Sequence, residues 1–135
     1  QGISDCYEQG NELWGDYDAQ LVSIHDPDEY LASAKNDEDL KDRKEKLLEA
    51  FRALDELKKS GRVQSVGVGA KDISVIDFIS DHFQLDWAMF ACSITPYTHS
   101  DFAIKLLKKL GQQGVDVINS AVLTTIESTS IKTGV

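Results

Sequence analysis

The stretch "AFRALDELKKSGRVQSVGVG", residues 50–69, decides the fold. Phe51, Leu54 and Leu57, with Leu47 and Leu48 just upstream, fall on one apolar stripe at helical spacing, while Lys and Glu take the remaining surface. This predicts a helix from Leu40 to Ser60, with Lys58 and Lys59 at its negative end and Gly61 placed to stop it. "RVQSVGVGA" then reads as a strand, in which Gly67 and Gly69 oppose helix and let another backbone or a ligand come close. A helix that feeds a strand through one glycine is half of a repeating β/α unit.

The same alternation extends in both directions. Upstream, "AQLVSIH" has the β-formers Leu21, Val22 and Ile24 and must stop at Pro27. Before it, Asp5 to Trp14 is a short, weak helix interrupted by glycine, and after it Asp26 to Asp42 reads as an exposed acidic loop running into a helix. Downstream, Asp72 can cap a helix with Ile73, Ile76, Phe78 or Ile79, and Phe83 on its core face. "DWAMFACSI" is short and almost wholly apolar, as for a strand buried on both faces. A helix from about Asp101 carries Phe102, Ile104, Leu106, Leu107 and Leu110, and "VDVINSAVL" is the last strand. The polar tail 124–135 has no period and reads as loop.

Strands near residues 20, 63, 87 and 115 thus alternate with three helices, which implies parallel strands joined by helical crossovers. Ligand sites in such folds collect at the carboxyl ends of the strands. That rule nominates His25 to Asp28, Gly69 to Asp72, Ser93 to Tyr97 and Asn119 to Ala121.

Composition narrows the function. The chain of 135 residues suits one domain, 1–135, and its net charge of −9 argues against a partner with a phosphate backbone or an anionic membrane surface. Cys6 and Cys92 lack the spacing of a zinc site or disulfide framework, which points to a reducing, cytoplasmic setting. The apolar runs are far shorter than a membrane span. His82, His99, Trp14 and Trp87 read as structural or packing residues, and "GVGAKD" as a tight strand-to-helix turn rather than a phosphate loop. Asp26, Asp28 and Glu29 with His25 form a lesser alternative, a divalent-metal site.

Together, "LVSIHDPDEY", "AFRALDELKKSGRVQSVGVG" and "GVDVINSAVL" resemble the middle and later part of an aldo-keto reductase, closest to the D-threo-aldose and L-fucose dehydrogenase branch. The likeness covers about Gly10 to Leu123. It implies strands 4 to 7 of a (β/α)₈ barrel, NAD or NADP as cofactor, and an aldehyde or sugar as substrate. By that resemblance His25 matches the histidine that orients the substrate carbonyl. Gly69 and Lys71 stand where the family has a serine and an asparagine at the nicotinamide carboxamide, Lys71 being a departure. Ser120 matches a serine near the pyrophosphate, and "ACSITPY" lacks the family's glutamine.

The family's tyrosine, lysine and aspartate from the first three strands, and its basic adenosine-phosphate segment, have no match here. A closed barrel takes eight strands and about 250 residues. The expectation is therefore a central portion of the enzyme, starting at Gln1 rather than Met. The alternative is a non-catalytic half-barrel that self-associates through open sheet edges.

Overall fold

The computed structural model describes residues 2–91, 94–95 and 99–121. Its elements run α1 (Gly2–Trp14), β1 (Leu21–His25), α2 (Pro27–Ala32), α3 (Asp37–Lys59), β2 (Ser65–Ala70), α4 (Ile73–Ser80), β3 (Trp87–Ala91), α5 (Asp101–Gln112) and β4 (Asp116–Ser120). The four strands form one parallel sheet in the order β1-β2-β3-β4. Each unit lays its strand beside the previous one, as consecutive strands of a (β/α)₈ barrel do.

Local chemistry sets the boundaries. The side chains of Asn36, Asp72 and Ser100 accept the backbone N–H groups of Asp39, Ser74 and Ala103, capping α3, α4 and α5. Gly61, at φ 74°, ends α3 in the left-handed region, and the Arg62 amide reaches back 3.0 Å to the Leu57 carbonyl. The chain enters β2 from that turn.

The pleat divides the sheet into two unlike faces. Val22, Ile24, Val66, Val68, Ala70, Ala88, Phe90 and Val117 point into the core with Leu47, Phe51, Leu54, Leu57, Ile76, Ile79, Leu106 and Leu110 from the helices. Burial of each large side chain there contributes about 1.5–3 kcal/mol relative to exposure. The other face carries Leu21, Ser23 and His25, then Gly67 and Gly69, Trp87 and Met89, and Ile118 and Ser120, as the strand register requires. Leu21 and Ile118 remain 63% and 41% exposed, so among the described residues no helix covers this face.

Several expectations change. The acidic stretch after His25 is not a loop: Pro27 begins α2 at its first turn, and α3 starts at Asp37. Proline suits that position because its missing N–H would be unpaired there in any case. The segment before Gly15 is a full helix, α1, with Tyr7 and Asn11 buried. β3 is buried on alternate residues rather than on both faces, because helices pack on one side. Phe102 faces outward at 42% exposure, and Ala103 takes its place in the core. Trp14 is exposed, while Trp87 packs. Ser93, Pro96, Tyr97, Cys92 and the tail 124–135 lie outside the described residues.

Candidate active site at the carboxyl end of the sheet

His25 is the last residue of β1 and sits on the helix-free face, its side chain 77% exposed. In the register it stands opposite Gly69 on β2. A Cβ on Gly69 would lie 3.3 Å from His25 Nδ1, so the absence of a side chain there lets the imidazole lie against the neighbouring strand. Nε2 faces the Asp26 carboxylate at 3.7 Å, beyond hydrogen-bond reach but near enough for its charge to act on the ring.

The turn after His25 is tied to the turn after β2. Asp26 adopts φ 48°, and its amide donates to the Gly69 carbonyl at 2.8 Å. Asp28, on the first turn of α2, is buried, and its Oδ2 accepts the backbone N–H groups of Lys71 at 3.2 Å and Asp72 at 2.9 Å. Its Oδ1 is buried without a hydrogen-bond partner. The Lys71 ammonium reaches Glu29 at 2.6 Å and Asp26 at 3.5 Å. Hydrogen bonding to Glu29 and the charge of Asp26 raise the Lys71 pKa above its ordinary value.

These contacts redistribute the residues nominated from sequence. His25, Gly69 and Lys71 come together across β1 and β2, whereas Ser120 lies two strands away at the end of β4. Its hydroxyl donates to the Phe90 carbonyl at 3.0 Å and keeps its lone pairs for an acceptor role. The Lys71 ammonium takes up two of the three carboxylates, Asp26 and Glu29, and among the described residues no three His, Cys, Asp or Glu groups are placed to hold a metal ion. Sequence reasoning nominated Asp28 within the stretch at the end of β1, but assigning that stretch to a solvated loop missed the burial of its carboxylate against the turn after β2. Pro27 was the available signal, since a helix starting there puts the next residue against the end of β2.

Two concavities help to locate chemistry. One of about 210 Å³ lies on the helix side of β1, lined by Ile3, Ile24, Pro27, Tyr30, Leu47 and Ala50 together with His25. Another, of about 320 Å³, lies at the amino end of the sheet between Phe51, Phe83 and Leu85. Its charged rim groups are already committed, Asp55 to Lys59 at 2.6 Å and Lys58 to Asp86 at 2.5 Å. The carboxyl end is therefore the better candidate for a reaction.

The sequence model of the aldo/keto reductase family matches residues 1–127. The chain belongs to the aldo/keto reductase family. No individually curated protein matches it. The parallel sheet, with its helices on one side, is thus part of the family's (β/α)₈ architecture. No helix among the described residues is long and apolar enough to cross a membrane.

The nicotinamide cofactor that aldo/keto reductases generally use can be tested against these residues. Gly69 offers backbone without a side chain beside His25, and Asp26, Asp28 and Glu29 outnumber the single Lys71 ammonium around it. That balance suits the neutral carboxamide or the cationic oxidised ring and disfavours a pyrophosphate. A nicotinamide at β1 and β2 would thus meet an excess of carboxylates, with the Lys71 ammonium held by two of them.

Proposed function

We propose that this aldo/keto reductase is an NAD(P)-dependent oxidoreductase that interconverts a carbonyl with an alcohol, on an aldose or another small aldehyde. The observation that carries the reading is the exposed His25 at the carboxyl end of β1, seated against Gly69 on the face that no described helix covers. Membership of the family supports the redox class. The His25-Asp26-Pro27 sequence resembles that of the D-threo-aldose and L-fucose dehydrogenase branch.

A bound nicotinamide supplies or accepts the hydride in this chemistry. This chain then has to place the substrate oxygen and stabilise the charge that develops on it. His25 can donate a hydrogen bond to that oxygen from an exposed ring nitrogen. Gly69 keeps the adjoining backbone accessible, Lys71 holds the acidic turn together, and Ser120 offers lone pairs at a second position along the sheet.

The test is steady-state kinetics of His25→Ala in the full-length protein, using NADPH and a short-chain aldose. Removal of a group acting on the reacting oxygen lowers kcat by roughly 10²-fold or more. Turnover within about twofold of the parent, a change far below that range, would refute the assignment.

The second reading is a non-catalytic module that assembles through its sheet. The exposure of Leu21 and Ile118 on the two edge strands favours it. Titration with NADPH followed by nucleotide fluorescence, beside sedimentation of the same sample, separates the two. Nucleotide binding supports the enzyme, and self-association without it supports the module.

A further inference from the structure

Asp28 is an uneconomical way to stabilise a turn. It is 9% exposed, one carboxylate oxygen spans two backbone amides, and the other is buried with no partner. Leaving a polar atom unsatisfied in the interior costs stability, and a shorter neutral side chain would avoid that cost. What this side chain supplies in return is geometry, because one oxygen at the end of its reach accepts from two successive backbone N–H groups at once.

The position of those two amides gives the geometry its use. Lys71 and Asp72 follow directly on Ala70, the last residue of β2, and Gly69, one step earlier, is the residue against which His25 rests. The Asp26 amide bonds to the Gly69 carbonyl at 2.8 Å from the other side. The end of β2 is thus held to the turn after His25 by backbone at Gly69 and by Asp28 at Lys71 and Asp72. Gly69 is the register partner of His25, and its lack of a side chain leaves the imidazole lying over the β2 backbone, so the position of the end of β2 sets the surface on which the ring rests.

We propose that Asp28 is a positioning residue for His25: by clamping the Lys71 and Asp72 amides it fixes the end of β2 and so sets the orientation of the imidazole toward the reacting oxygen. This rests on the catalytic reading of His25. Asp28 touches neither substrate nor cofactor in this role and acts through the Gly69 backbone.

The experiment is a double-mutant cycle in the full-length protein, with kcat measured per folded molecule using NADPH and a short-chain aldose. Asp28→Ala is expected to lower kcat roughly tenfold to a hundredfold, the scale of a misplaced reacting group. In a His25→Ala background the same change is expected to have less than about a twofold effect, because the group it positions is gone. Asp28→Asn, which keeps an acceptor oxygen for the amides, is expected to restore most of the loss.

Equal losses in both backgrounds, or an unchanged kcat in Asp28→Ala, overturn the proposal while leaving the function of His25 intact. An unchanged kcat in His25→Ala alone overturns the catalytic reading and this proposal with it. If Asp28→Ala does not fold, Asp28→Ser runs the same cycle, since its short hydroxyl cannot span both amides.

Discussion

At the amino end of the sheet Asp86, and at the carboxyl end Asp28, each use a carboxylate to hold a backbone amide of β2 or its following turn. Asp86 Oδ2 accepts the Val66 N–H at 2.8 Å while both of its oxygens take the Lys58 ammonium, at 2.5 and 2.7 Å. Among the described residues, Asp28 holds two amides with one oxygen and leaves Oδ1 buried without a hydrogen-bond partner. One end is satisfied and closed. The other leaves a buried acceptor without a partner, three residues after an exposed histidine. Barrel enzymes of this kind place stability at the amino end and chemistry at the carboxyl end, and the two carboxylates express that division in hydrogen bonds.

Variants at the two ends should therefore fail in different ways. The largest effect belongs to His25→Ala, a fall in kcat of roughly 10²-fold or more with an unchanged melting temperature. A matching loss of stability would erase the contrast. Gly67→Ala comes next, in the amino half of β2, where a Cβ would meet the Trp87 indole at 2.2 Å. Displacing that ring should cost about 1–3 kcal/mol in denaturant unfolding.

Asp86→Ala leaves Lys58 and the Val66 amide without their partner and should cost ~1–2 kcal/mol, with kcat per folded molecule unchanged. Gly69→Ala presses a Cβ on His25 at 3.3 Å, tight enough to move the ring without unfolding the sheet. A fall in kcat of about tenfold at nearly constant stability is expected, on the scale of a misplaced catalytic group.

The smallest effect lies at the start of α3. The Lys35 amide and the Arg43 side chain hold the Asp39 carboxyl below its ordinary value of 3.8. A lowered folded-state pKa means that its stabilisation is present above 3.8 and is lost as pH falls through the folded value. The melting-temperature advantage of the parent over Asp39→Asn should accordingly shrink in acid. A constant difference across that range would remove the coupling.

Much of the architecture was legible before any coordinates. The stripe of Leu47, Phe51, Leu54 and Leu57 and the stop at Gly61 specify α3, and the β-branched run before Pro27 specifies β1, because periodicity and chain chemistry are local. From the order of elements follows a parallel sheet, and from the sheet follows the placement of His25, Gly69 and Ser120 at strand ends. The same local rules misread Asp26 to Asp42 as loop, since a helix as short as α2 carries no period and is held by contacts with β2 and α3.

By itself the sequence determined the strand-and-helix order, the parallel sheet and the histidine at the end of β1. The tertiary structure decided which of the carboxylates after that histidine is buried, which face of the sheet carries no helix among the described residues, and that Lys71 reaches Glu29 and Asp26. The physical reason is range. Helix and strand signals act over a few residues, whereas Asp28 meets the Lys71 and Asp72 amides across 43 and 44 positions of chain, and only the packed sheet brings them together.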